Sequence, residues 1–118
     1  MIVDDDADAR AIYGSYLRAM GCTVFTARDG AVGVEKAAAL SPDVIVMDLA
    51  MPQLDGWEAT TQIRSSKETE DIPVLALSAL ELSKDSAREA GCDGFLAKPC
   101  QPDLLWWQIR ALLNLNKH

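Results

Sequence analysis

Asp43-Val44-Ile45-Val46-Met47-Asp48-Leu49-Ala50-Met51-Pro52, closing at Asp55-Gly56, is the stretch on which the reading of the fold turns. Four consecutive apolar residues, three of them β-branched, follow Ser41-Pro42 and precede Asp48. Such a run predicts a short strand buried on both faces, as in a parallel sheet with helices on each side. Asp48 ends it, and open α/β folds bind their ligands at the carboxyl edge of the sheet. A carboxylate there either caps the next turn or takes part in chemistry.

The flanking sequence repeats this pattern. Upstream, Ala31 to Leu40 predicts a helix of small residues with Val34 and Ala37-Ala38 on its inner side, opened by the turn Asp29-Gly30. Cys22 to Ala27, rich in β-branched and aromatic residues, predicts a strand before it. From Asp6 or Ala7 to Met20 the spacing is helical, with Ile12, Tyr16, Leu17 and Met20 on one face and Gly21 as the stop. Met1-Ile2-Val3 then reads as a first strand truncated at its start, because strands usually run to five or six residues. Downstream come a helix over Trp57–Ser65, a polar loop to Asp71 and a strand over Ile72–Ser78. A helix over Leu82–Ala90, a strand over Gly94–Ala97 and a helix over Asp103–Leu113 complete the chain. Strict alternation of five buried strands with five helices implies one α/β domain over residues 1–118, built on a parallel sheet with right-handed crossovers.

Composition fits that architecture. The chain has 118 residues, 49% of them hydrophobic and 25% charged, the balance of a globular domain able to bury a core unaided. A formal charge of −7 argues against direct contact with nucleic acid or an anionic membrane surface. No apolar run approaches the ~20 residues of a membrane span, and no secretory leader is legible at Met1. The three cysteines, Cys22, Cys92 and Cys100, show no Cys-x-x-Cys spacing, and the single histidine is His118. Free thiols in a reducing cytoplasm are the expectation.

Four of the five strands end in, or lead into, a group able to handle phosphate or metal: Asp4-Asp5, Asp48, Ser78 and Lys98. The second, ending Thr26-Ala27-Arg28, contributes nothing comparable. In a parallel sheet those ends share one edge. Three carboxylates brought together repel unless a cation neutralises them, and a hard divalent ion with oxygen ligands suits Mg²⁺. One reactive carboxylate, a metal, a lysine and a hydroxyl are together what phosphoryl transfer onto an aspartate requires. Taken singly each has a structural reading: Asp4-Asp5-Asp6 as a helix cap, Asp48 as a turn residue, Lys98-Pro99 as a solvated turn. Their joint occurrence on successive strand ends points to a site.

Over essentially its whole length the chain resembles the receiver domains of two-component response regulators. The matching motifs are Ile2-Val3-Asp4-Asp5-Asp6, Pro42-Asp43-Val44-Ile45-Val46-Met47-Asp48, Met51-Pro52 with Asp55-Gly56, Leu77-Ser78-Ala79, and Ala90-Gly91-Cys92-Asp93-Gly94-Phe95-Leu96-Ala97-Lys98-Pro99. The resemblance implies a flavodoxin-like (βα)5 fold with strand order 2-1-3-4-5, an order the general rule for doubly wound sheets already associates with the chemotaxis receiver. It implies that Asp48 accepts phosphate from a histidine kinase or phosphotransfer protein. Asp5, Asp48 and the Ala50 carbonyl would hold Mg²⁺, with Asp4 helping through water. Lys98 would contact the phosphoryl group across a cis Lys98-Pro99 bond. Ser78 and Phe95 would form the switch, and the face made by the fourth helix, fifth strand and fifth helix would meet partners.

Phe95 lacks the hydroxyl of the tyrosine that many relatives carry, so a switch hydrogen bond from that ring is not expected. Ala50 and Leu80 cannot orient a water for attack, which predicts slow self-dephosphorylation in a signalling module that is not a turnover enzyme. On the last helix Leu105, Ile109, Leu112 and Leu113 share a face, which turns Trp107 outward as a candidate contact for an effector, a fused output domain or a homodimer partner. The alternative class is a Mg²⁺-dependent phosphohydrolase with Asp48 as nucleophile, disfavoured because Asp48-Leu49-Ala50 lacks a second acid to protonate a leaving group. A dinucleotide or flavin binder is disfavoured by the absence of Gly-x-Gly-x-x-Gly after the first strand.

Overall fold

The computed structural model describes residues 1–49, 56–78 and 84–115. Ala50, Met51, Pro52, Asp55, Ala79 and Leu80 lie outside the described residues. Five strands, β1 (Ile2–Val3), β2 (Thr26–Ala27), β3 (Ile45–Asp48), β4 (Val74–Ser78) and β5 (Gly94–Ala97), form one parallel sheet of order β2-β1-β3-β4-β5. They alternate with α1 (Ala7–Ala19), α2 (Gly30–Leu40), α3 (Gly56–Ser65), α4 (Lys84–Glu89) and α5 (Pro102–Leu115). This is the flavodoxin-like arrangement expected from the sequence.

Alternation along the strands sorts side chains into two cores. Val3, Ile45, Met47, Val74 and Ala76 pack with Ala37 of α2, Ala59 and Ile63 of α3, and Ala87 of α4. Ile2, Val46, Leu75 and Leu77 pack on the opposite face with Tyr13 and Leu17 of α1 and Leu105 and Ile109 of α5. Ile45, Met47, Val74 and Leu75 are fully buried, as expected of strands covered on both sides.

Helix ends follow from local chemistry. Asp6 caps α1 by accepting from the Asp8 amide at 3.0 Å, and Asp29 caps α2 by accepting from Val32 at 2.9 Å. Gly21, at φ 94°, turns the chain out of α1 while Cys22 N–H bonds back to the Leu17 carbonyl at 3.0 Å.

Three expectations need correction. The second strand is two residues, Thr26–Ala27, not Cys22–Ala27, because its pairing with β1 begins only opposite Ile2. The buried face of α1 is Ala9, Tyr13, Gly14 and Leu17, whereas Ile12 (57% exposed) and Met20 face outward. The helix is rotated from the stripe of strongest hydrophobicity, so that Tyr13 and Leu17 enter the core beside Ala9. On α2, Gly33 and Ala37 are inside and Ala38 is exposed: a Cβ on Gly33 would lie 2.9 Å from Val3 Cγ2, so that helix sits almost on the sheet.

Candidate functional site

β1 and β3 run side by side with Val3 opposite Met47, so Asp4 and Asp48 emerge together at the carboxyl edge. By the pleat, Asp48 shares parity with Val46, whose side chain packs on the face covered by α1 and α5, and Asp4 and Lys98 follow directly on the ends of β1 and β5. Carboxylate oxygens of Asp4, Asp5 and Asp48 lie within 4.8 Å of one another. Asp4 and Asp48 are buried, at 1% and 5% exposure, while Asp5 faces solvent.

Lys98 closes the cluster. Its Nζ donates to Asp4 Oδ2 at 2.7 Å and to Asp48 Oδ2 at 3.3 Å. Burial pulls the ammonium pKa down, but hydrogen bonds and charge from Asp4 and Asp48 outweigh it and hold Lys98 above its ordinary value. Lys98 is therefore a fixed cation at neutral pH. Its backbone amide donates to the Ser78 carbonyl at 2.9 Å, tying the ends of β4 and β5, and the Lys98-Pro99 bond is cis. Ser78 is fully buried. Phe95, opposite Ala76 in the sheet, is half-buried against the α2–α4 core.

Three acids against one lysine leave an excess of negative charge in a small, partly desolvated volume. Charge and hard oxygen donors both suit a divalent cation such as Mg²⁺, and the residues present fit it. The Ala50 carbonyl assigned to the same ion lies outside the described residues.

Two further contacts were not read from the sequence. Arg10 Nη1 donates to the Asp4 carbonyl at 2.7 Å, and Tyr13 Oη donates to the Cys100 carbonyl at 3.0 Å. Both acceptors are backbone groups, which leave no mark in residue type. The only available signal was the three-residue spacing of Arg10 and Tyr13, one turn apart on a helix that follows the acidic cluster. Trp107 stands clear of the site on α5 and is 71% exposed, as its helical position predicts.

Residues 1–110 match the model of the response regulator receiver domain. The chain is 36% identical over 116 residues to the DNA-binding dual master transcriptional regulator RpaA of Synechocystis, and 40% identical over 116 residues to the transcriptional regulatory protein PrrA of Mycobacterium leprae. Those alignments cover 97% of this chain but 48% and 49% of the relatives, so the chain spans about half their length. Among solved structures, the receiver domain of the sensor histidine kinase PA1611 from Pseudomonas aeruginosa superposes with a TM-score of 0.88 at 30% identity, covering 96% of this chain and 94% of that one. That structure carries a magnesium ion coordinated in its active-site cleft. The chemotaxis protein CheY4 of Vibrio cholerae superposes with a TM-score of 0.87 at 30% identity over 94% of each chain. By the match over residues 1–110 and by a sheet order shared with its structural neighbours' fold, the chain belongs to the response regulator receiver domains of two-component systems.

Proposed function

We propose that Asp48 is the phosphoacceptor of this receiver and that it takes its phosphoryl group from a histidine kinase or phosphotransfer protein. The observation that carries this reading is the approach of Lys98 Nζ to Asp48 Oδ2 at 3.3 Å, beside two further carboxylates. A carboxylate oxygen of Asp48 attacks phosphorus, the bond from phosphorus to the donor nitrogen breaks, and an acyl phosphate forms. Lys98, held protonated, neutralises charge on the transferring oxygens without reorganising. Asp5, Asp48 and the Ala50 carbonyl would hold Mg²⁺, with Asp4 helping through water. When bound, that ion would supply charge neutralisation at the phosphoryl oxygens.

Ser78 and Phe95 form the proposed switch, since a doubly charged group at Asp48 biases whichever arrangement of the neighbouring β4–α4 and β5 region pairs with it. Output passes through the α4-β5-α5 face. Trp107, exposed on α5, serves as a contact for an effector, a fused output domain or a second copy in a homodimer. Its removal in Trp107→Ala should weaken association while leaving phosphorylation intact. Ala50 and Leu80 offer no group to orient water, so the acyl phosphate should be long-lived; decay within seconds in purified protein would contradict this.

The test of the central reading is incubation with acetyl phosphate and Mg²⁺. One phosphoryl group per chain, lost in Asp48→Asn, is expected. Label taken up by Asp48→Asn would overturn the assignment, and multiple turnover of varied phosphoesters would favour the hydrolase.

A further inference from the structure

The Lys98–Asp4 ion pair joins two strands that are not neighbours. β3 and β4 lie between β1 and β5, so no ladder hydrogen bond sets the distance between the ends that carry Asp4 and Lys98. α1 supplies a link of another kind. Arg10 holds the last carbonyl of the β1 end, that of Asp4, and Tyr13, one turn on, holds the carbonyl of Cys100, two residues beyond Lys98. The Tyr13 ring is only 7% exposed and is packed in the core with Leu105 and Ile109, so its hydroxyl has little freedom to seek another partner. Pro99 and Cys100 line a groove with Tyr13, Ala9 and Ile12, and the Tyr13 hydroxyl bridges α1 to the chain just past Lys98.

We propose that Tyr13 is a positioning residue for Lys98: through the Cys100 carbonyl it anchors the β5–α5 connection so that the ammonium meets the carboxylates, and later the phosphoryl oxygens, at hydrogen-bond distance. This rests on the reading of Lys98 as the phosphoryl contact. The acids are held by other means, Asp4 by Arg10 and by its own Oδ1 accepting from the Asp6 amide at 2.9 Å, and Asp48 by the β3 ladder. Tyr13 therefore touches no carboxylate itself and reaches Asp4 and Asp48 only through the Lys98 ammonium.

The experiment compares wild type with Tyr13→Phe, which keeps the ring and deletes the hydroxyl. Two quantities are read: the dissociation constant for Mg²⁺ alone, from titration calorimetry, and the rate of phosphorylation by acetyl phosphate at saturating Mg²⁺. The rate should fall roughly five-fold or more, as expected when a catalytic group is misplaced by a fraction of an ångström, while the metal constant stays within about two-fold. A rate within about two-fold of wild type, or a fall in rate matched by loss of metal affinity, would overturn the proposal, because a purely structural tyrosine gives one of those two results. If wild type itself takes no label, the phosphoacceptor reading fails and this inference with it. Label in wild type with an unchanged Phe variant removes the inference alone.

Discussion

Removing the charge of Asp48 should make the metal-free protein more stable. Asp48 is 5% exposed, and its oxygen lies 3.3 Å from the Lys98 ammonium and within 4.8 Å of a carboxylate oxygen of Asp4. At an effective dielectric constant of about 20, the attraction is roughly 5 kcal/mol and the repulsion from Asp4 roughly 3.5 kcal/mol. Asp5 repels as well, but it is exposed and water screens it. Lys98 must also divide its attraction with Asp4, which it approaches more closely, at 2.7 Å. Little of the pairing energy is left to offset the several kcal/mol needed to desolvate a buried carboxylate. Asp48→Asn keeps the shape and one acceptor oxygen, and the Lys98 ammonium that serves the carboxylate can serve the amide oxygen. We expect a gain of about 1–2 kcal/mol in metal-free buffer, read as a shift of the urea midpoint at unchanged m-value, or roughly 5 °C in melting temperature. Mg²⁺ should then reverse the order. At a hundred times its dissociation constant it stabilises wild type by about 2.7 kcal/mol, whereas the variant, short of one ligand, responds weakly. A variant less stable than wild type in the presence of a chelator would refute the claim that the acids are held together at a cost.

Other consequences test the framework around the site. Arg64 donates to the carbonyls of Gly91, Glu70 and Ile72 and to Asp93 Oδ2, joining α3 to the chain just before β4 and to the turn between α4 and β5. Arg64→Met should lower stability by about 2–3 kcal/mol in urea titration, since charge-assisted bonds to partly buried carbonyls are lost together, and a change below about 0.5 kcal/mol would contradict this. A Cβ on Gly56 would collide with the Asp48 carbonyl oxygen and lie 2.6 Å from Leu49 Cα. Gly56→Ala must therefore displace the backbone at the acceptor, and calorimetry should show Mg²⁺ affinity falling about ten-fold or more, a loss of roughly 1.4 kcal/mol in binding free energy. Burial pushes the thiols of Cys22, Cys92 and Cys100 above their ordinary pKa, and Cys92 alone is closed to solvent. Labelling should thus quicken as pH rises towards the alkaline range, with Cys92 slowest and its rate tracking global stability in urea; labelling of Cys92 as fast as the other two would show that α4 opens locally.

What the sequence made legible and what it hid have physical reasons. Continuous apolar runs such as Val44–Met47 and Val74–Leu77 announced buried parallel strands, and the polar residues that stopped them, Asp48 and Ser78, marked the functional edge. Acids and a lysine are visible as residue types, so a site made from their convergence can be anticipated once the topology is inferred. The facing of α1 is hidden because Ile12 and Met20 look like core by residue type, whereas Ala9, Tyr13, Gly14 and Leu17 are the residues that are buried. This also conceals Tyr13: with the helix turned, that residue faces the sheet and its hydroxyl reaches a carbonyl 87 positions away. Contacts to backbone carbonyls depend on geometry and not on the identity of the acceptor, so no pattern of residue types encodes them. Where charge gathers can therefore be read from composition at strand ends. How tightly it is gathered depends on unlabelled carbonyls and on the rotation of one helix, and those emerge only when the chain is folded.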